Sequence, residues 1–377
     1  MDISSEMIHA LLPIFLVATL GVSVLTVGII EGVAEATVSV TKVFSGVISD
    51  WIGKRKPLVM LGYGLATFTK PLFPLASNVI LVVVARFLDR VGKGIRDAPR
   101  DALVTDIAPT DLRGAAFGLR QSLDTIGALI GPLLAIALML WFTNDIRTVL
   151  WFAVVPAVLA FALLAFGVSE PARGSSTEPR RFPISRPELA KLSKTYWWVV
   201  IVGAVFTLAR FSEAFLVLRA QSLGFSLAWI PVVMVVMGIA YAASAYPAGV
   251  LSDHIERRPV FVVGVAILIL ADLLLSGLFG VLGVLGGVAL WGVHMGFTQG
   301  LLSALVADTA PIELRGTAFG VFNLICGVMT LAASVVAGLL WSQFGAPAAF
   351  LAGAAFTALA LIGLVLTGRD RLSTPMA

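Results

Sequence analysis

The chain of 377 residues has little of what soluble enzymes use. Charged residues make up 13 % of it, hydrophobic ones 59 %, and the mean hydropathy is +0.99. Ordinary globular domains carry about a quarter charged residues, so a cytosolic enzyme is excluded at the outset. One cysteine, Cys326, excludes a disulfide framework. Three well-separated histidines exclude a Cys/His zinc cluster, and no metal or cofactor is expected. The start has no signal-peptide cleavage pattern, and no separate soluble domain is expected. Gly92-Lys93-Gly94 is too short for a nucleotide cradle, which argues against ATP-driven work. HExxH, a nucleophile elbow and a Cys/His pair are all missing, which leaves an integral membrane enzyme as a weak alternative.

Hydrophobic stretches of spanning length are what the chain has instead. They predict helices at about 2–20, 24–49, 57–76, 78–103, 114–140, 148–168, 196–218, 227–250, 259–277, 281–306, 316–341 and 346–367. The longest polar interval, 169–195, divides them into six and six. The expected organisation is therefore a helical bundle over 1–168, a linker over 169–195 and a second bundle over 196–377. The formal net charge of +4 does not indicate nucleic acid, because the placement of the basic residues explains it better. With the N-terminus inside, fifteen Lys and Arg fall on cytoplasmic segments and two, Arg147 and Arg219, outside. The positive-inside rule then puts both termini and the linker in the cytoplasm of an inner-membrane protein.

The halves repeat each other. Residues 106–118 read DIAPTDLRGAAFG and 308–320 read DTAPIELRGTAFG, with nine of thirteen identical at an offset of 202. GVISDWIGKRK at 46–56 recurs as GVLSDHIERR at 249–258, an offset of 203. Two matches at nearly one offset mark a duplicated six-helix unit whose copies share orientation.

On these residues the sequence resembles the major facilitator superfamily along essentially its whole length. The family's loop pattern is met by Gly46, Asp50, Gly53, Lys54 and Arg55. The second copy keeps Gly249, Asp253, Arg257 and Arg258, with Glu256 at the glycine position. The resemblance implies an all-α integral membrane fold of twelve helices in two pseudo-symmetric bundles, working as a monomeric secondary transporter. It also implies a cytoplasmic latch in which Asp50 works with Arg113, and Asp253 with Arg315. Gly127, Gly131 and Pro132 are similar to the antiporter-type motif of the fifth helix, though Ala135 and Ile136 stand where that motif closes with glycines. The motif tilts the reading toward substrate/proton exchange; the competing account is close helix packing.

The fourth helix is the most informative segment. Eight charges fall between Arg86 and Asp101, and charge within a bilayer must line water or pair. Arg86, Asp89, Arg90, Lys93, Asp97 and Arg100 recur three or four apart and so largely share a side. That side is expected to face a cavity between the halves, while Asp97, Arg100 and Asp101 fit a solvated helix end. In the family an arginine of this helix takes part in proton coupling, and Arg86 is its positional match. Glu31, Glu35, Arg120, Asp124, Arg210, Glu213, His294, Gln299 and Asn323 complete the expected substrate and proton pathway. Two readings of Glu31, Glu35 and Asp124 stand side by side. They titrate and couple protons, or they pair permanently with Arg86, Arg90 or Arg120. Asp272 is expected to pair locally.

Proton-coupled efflux of a small polar or charged solute is the expected function, with membrane lipid and the solute as the only partners. Import of small organic anions is the alternative. The first helix is short, since Met1 to Leu20 gives only about 30 Å. A native start about seven residues upstream of Met1, by alignment of the repeats, is therefore expected in preference to a locally thinned bilayer. Asp2 and Glu6 would then lie opposite Arg90 and Lys93.

Overall fold

The computed structural model describes residues 1–52, 54–109, 112–169, 189, 191–311 and 314–366. Hydrocarbon offers backbone groups no water, so each spanning segment must close its own hydrogen bonds. All regular structure among the described residues is accordingly helical. α1 (Asp2–Ile14) runs into one π-helical turn, Phe15–Thr19. It is followed by α2 (Val24–Ile52), α3 (Lys56–Thr69), α4 (Leu72–Leu75), α5 (Val79–Ile107), α6 (Arg113–Trp141), α7 (Ile146–Phe152) and α8 (Val154–Gly167). Later in the chain come α9 (Lys194–Leu208), α10 (Ala214–Ser222), α11 (Val232–His254) and α12 (Arg257–Leu273), the last running into a second π-helical turn, Leu274–Leu278. α13 (Gly280–Thr309), α14 (Arg315–Phe344) and α15 (Ala346–Leu366) complete the order.

Nine helical stretches among the described residues are long and apolar enough to cross a membrane. α9 and Ala346–Ile362 are apolar but shorter. α5 has the length and too much charge. The linker expected over 169–195 lies outside the described residues except for 169, 189 and 191–195.

Four expected helices are interrupted. The one over 227–250 opens with a 3₁₀ turn, Leu227–Trp229, and becomes α11 only at Val232, past Pro231. The one over 57–76 stops at Thr69 and restarts at Leu72 because Pro71 has no N–H to continue the ladder. The one over 148–168 is interrupted at Ala153, where Pro156 denies the Phe152 carbonyl its usual donor. There the Ser4 hydroxyl donates to the Ala153 carbonyl at 2.6 Å, tying α1 to the interruption. The one over 196–218 is broken between Leu208 and Ala214, with no proline involved. Side chains take the backbone donors instead: the Ser212 amide donates to Ser334 Oγ (3.1 Å) and the Ala214 amide to Ser212 Oγ (3.3 Å).

The chain forms two compact units. One comprises Met1–Val22, Val33–Phe182 and Phe225–Val235; the other comprises Ser23–Gly32, Pro183–Gly224 and Val236–Ala377. In the first, α1 packs on α6, and α3 packs on α5 and α8. In the second, α9 packs on α14, and α12 packs on α13 and α15. These are the same pairings displaced by one repeat, so the duplication seen in the sequence is a duplication of packing.

At the turn after α6, Asp145 caps α7 by accepting from the Arg147 and Thr148 amides, at 3.1 and 3.2 Å, and from the Thr148 hydroxyl at 2.6 Å. These bonds, the Thr148 hydroxyl foremost, hold its carboxyl below the ordinary range. A group whose folded value is depressed adds stability above its unfolded value and loses it as pH falls through the folded one. Asp145→Ala should therefore cost about 0.5–1 kcal/mol at neutral pH, the low end for an exposed cap. The deficit should fade in acid, and Asp145→Asn should lose less. Thermal unfolding in detergent at several pH values reads both effects.

Candidate functional site

The charged side of α5 is met by side chains from four other helices of the first unit. Near its start, Lys70 and Asp89 are both buried and pair at 2.8 Å, and the Lys70 ammonium also donates to Ser5 Oγ at 3.1 Å. Lys70 stands at the Pro71 break, where the end of α3 turns it inward. Arg90 Nε lies 3.4 Å from Asp89, and Arg90 Nη1 lies 3.5 Å from Glu35 on α2. The result is a chain of alternating charge, Lys70, Asp89, Arg90 and Glu35, with the neutral Ser5 hydroxyl at its Lys70 end. Such alternation is what makes ionised groups tolerable where water is scarce, because a lone buried ion costs several kcal/mol.

About two turns further along α5, Arg96 is buried with its guanidinium 4.8 Å from the Tyr63 ring centre. Asp97 and Asp2 lie 3.8 and 4.0 Å from it. Last on this side comes a cluster around Asp124, which Asp2 of α1 also joins through a side-chain hydrogen bond. Asp124 on α6 receives Arg100 at 3.4 Å and Arg120 at 3.0 Å, while Asp101 lies 3.7 Å from Arg100 and 3.3 Å from Arg120. Asp97, Arg100 and Asp101, expected at a solvated end, are thus drawn into pairs. Arg86 is buried; Lys93 is half-buried. Asp2 meets Arg96 rather than Arg90 or Lys93, and Glu6 pairs with His9 at 3.5 Å.

Of the remaining expected residues, Glu31 is fully buried and belongs to the Ser23–Gly32 segment of the second unit. There His294 is also buried, beside Phe206 and Trp291 with ring centres 5.6 and 6.0 Å away. Arg210 and Glu213 occupy the break before α10 and are half-buried, as are Gln299 and Asn323. The structure does not gather these into one ion-paired set like that of α5. Gly127 and Gly131 of α6 face α1: a Cβ on Gly127 would stand 3.0 Å from the Asp2 Cβ, and one on Gly131 would stand 2.8 Å from the Glu6 Cβ and the Ile3 carbonyl. Their glycines let α1 approach, which is the packing account of that motif. Pro132 lies inside α6.

At the loop after α2, Gly53 lies outside the described residues, as do the side chains of Asp50, Arg113, Asp253 and Arg257. Gly46 and Lys54 are described, and Arg55 is buried there, donating to Ser49 Oγ and standing 3.5 Å from Asp106 at the end of α5. In the second copy Arg315 donates to the Ala307 carbonyl at 3.1 Å. Among the described residues no group of three or more His, Cys, Asp or Glu could hold a metal ion. Lys70, Ser5, Arg96, Tyr63 and Asp106 are the residues that sequence reasoning passed over. A lone lysine in an apolar span and an aspartate repeated at 308 were the available signals.

The Lys70–Asp89 pair makes a direct test. Asp89→Leu strands a buried ammonium and should cost about 3 kcal/mol or more of stability. Lys70→Met/Asp89→Leu removes both charges and should recover most of the loss. Thermal melting of purified variants in one detergent, read as a double-mutant cycle, measures the coupling.

Comparison with known proteins agrees with this architecture. The sequence model of the Major Facilitator Superfamily matches residues 1–334 and 214–375. An uncharacterised MFS-type transporter of Methanocaldococcus jannaschii is 32 % identical over 346 residues, 90 % of this chain and 85 % of that one. Two solved structures share the fold at low identity. A POT family transporter in complex with 5-aminolevulinic acid has a TM-score of 0.81 at 14 % identity, over 99 % of this chain and 94 % of that one. A point mutant of the nucleoside transporter NupG has a TM-score of 0.80 at 12 % identity, over 97 % and 96 %. With a family match spanning both repeats, a multi-pass helical fold and a charged helix neutralised from within its own unit, the chain belongs to the major facilitator superfamily of membrane transporters.

Proposed function

We propose that this transporter exchanges a small polar or anionic solute against protons across the inner membrane, in the export direction, by alternating access of two six-helix bundles. The observation that carries the reading is the charge network along α5. A lipophilic-drug pocket needs little buried charge, whereas here Lys70, Arg86, Arg90 and Arg96 are buried with Asp89 as the one carboxylate of α5 buried to the same degree. Buried arginines on α5, whose guanidinium forks can trade a carboxylate partner for an anionic solute, favour a solute that brings negative charge.

Glu31, Glu35 and Asp124 are the coupling carboxylates on this reading. The Asp124 cluster offers a way to couple. A proton arriving on Asp124 cancels its attraction for Arg100 and Arg120, and Asp101, already within 3.7 and 3.3 Å, takes both. One protonation thereby shifts two guanidinium groups. Asp50 with Arg113, and Asp253 with Arg315, act as the cytoplasmic latch, with Arg55 and Asp106 bracing the first. The resemblance of the α6 motif to the antiporter pattern, alongside its packing role, is the ground for exchange, and the Lys and Arg asymmetry supports cytoplasmic termini. The protein works as a monomer with no cofactor, driven by the proton gradient. The buried cations favour import of small organic anions as the second reading.

Flux of a solute panel in proteoliposomes, with and without an imposed pH gradient, tests the whole reading. Export of an anionic or polar solute driven by inward proton movement is expected. Indifference of every solute to the gradient would defeat it, and uptake together with protons would select the second reading. Among variants, Asp124→Asn should lose at least tenfold in gradient-driven flux while counterflow exchange survives, because exchange needs no net proton movement. Asp50→Asn should lower both at equal expression, because a latch acts on the conformational balance itself.

A further inference from the structure

The second unit holds a carboxylate that the charge network does not explain. Asp272 lies fifteen residues along α12 from Arg257, about 22 Å from that basic end, and is fully buried. Neither carboxylate oxygen has a hydrogen-bond partner among the described residues. Local pairing, as expected from the sequence, is not what the structure shows.

Its surroundings are built to hold a carboxyl group. A Cβ on Gly353 of α15 would come within 2.7 Å of Asp272 Oδ2 and 3.3 Å of the Phe211 ring, so only glycine leaves the space. Phe211 in turn packs on Trp291 and Phe350, with ring centres 5.5 and 5.3 Å away. Trp291 is fully buried, and its indole N–H also lacks a hydrogen-bond partner among the described residues. The ionisable groups around this pocket are few. On α13 there is His294, beyond Trp291. From α10, Arg219 is committed to the π-helical turn after Asp272, where its Nε donates to the Leu275 carbonyl at 2.8 Å. Arg210 lies on the far side, 6.0 Å from the Phe206 ring centre. The described part of α15 carries no charged residue. No ion pair to Asp272 occurs among the described residues.

An ionised carboxylate in such a wall is costly, and an apolar side chain would pack there at less expense. Binding a proton removes the charge without moving the backbone. We propose that Asp272 is a reversible proton-binding site of the second unit, distinct from Glu31, Glu35 and Asp124. The carboxylate takes one proton to become the neutral acid and returns it as the carboxylate. The π-helical turn beside it supplies the polar approach, since its carbonyls leave the regular ladder and Gly277 takes a φ of 113°. The part this site takes in transport rests on the proton-coupled reading above; proton binding itself does not.

Infrared difference spectroscopy of the purified protein in lipid, titrated from alkaline to acid buffer, uses the proton alone as ligand. Subtracting the Asp272→Asn titration from the wild type should leave one carboxyl C=O band that grows as carboxylate intensity falls. Gly353→Ala keeps the carboxyl but crowds it, and should shift the frequency and midpoint of that band. A difference that contains no carboxyl band, or one that does not respond to pH, overturns the proposal. Where Asp272→Asn does not fold, Gly353→Ala decides alone: a titration identical to wild type overturns it. Flux is measured in parallel on the same preparations. If the wild type shows no gradient-driven transport, the coupling reading fails while the infrared titration still decides whether Asp272 binds protons.

Discussion

The neutralisation of α5 is the constraint on which the first unit depends. A helix with Arg86, Asp89, Arg90, Lys93, Arg96, Asp97, Arg100 and Asp101 cannot sit among apolar spans unless its neighbours bring charge to it. They do so in sequence order along its length: Lys70 from the end of α3, Glu35 from α2, Asp2 from α1, Asp124 and Arg120 from α6. Each pairing fixes a rotation or a depth. The Pro71 break turns Lys70 toward Asp89, and Gly127 and Gly131 bring α1, with Asp2 and Glu6, close to α6. Packing and electrostatics are here one requirement met by the same residues.

The two units share helix pairings and differ in chemistry. The first sets buried Lys70, Asp89, Arg90 and Arg96 against opposite charges. In the second, His294 and Arg210 stand beside the Phe206 ring, and Asp272 and the Phe211 ring meet at Gly353. Duplication preserved the backbone plan because the glycine and small-residue contacts that set helix approach are local to each pairing. Side-chain chemistry inside a pairing was free to diverge, since either a closed ion network or a dry aromatic wall fills the same space.

Helix existence was legible in the sequence, and so was the duplication, because spanning length and repeat offset are one-dimensional signals. Helix interruptions were less so. Pro71 and Pro156 could have been read as breaks, yet prolines inside Pro13, Pro99 and Pro132 positions leave their helices continuous. Only the tertiary partner distinguishes the cases. The break at 209–213 has no local signal at all, since the Ser334 hydroxyl that captures the Ser212 amide lies 122 residues away. Among site residues, Glu35, Asp89, Arg90, Arg120 and Asp124 announced themselves as charges at helical spacing. Lys70 did not, because a single lysine in an apolar run reads equally well as a residue reaching for the interface. Asp272 was visible as a charge but its isolation was not, since having no partner is a property of the fold.

The irregular backbone and the buried polar groups coincide in this chain. The α3–α4 break carries buried Lys70, the α9–α10 break carries buried Ser212 with half-buried Arg210 and Glu213, and the π-helical turn after α12 follows buried Asp272 directly. In hydrocarbon, a carbonyl released from the ladder is as costly as an unpaired side chain, so the two are best placed together where each can satisfy the other. Arg219 shows the economy of it: one guanidinium holds the freed Leu275 carbonyl and donates to Ser222 Oγ at 3.2 Å. Breaks placed this way also concentrate the backbone's freedom at the points where charge is handled. Lys70 and Glu213 thus sit on backbone outside the helical ladder, and Asp272 on the last regular turn before the π-helical one.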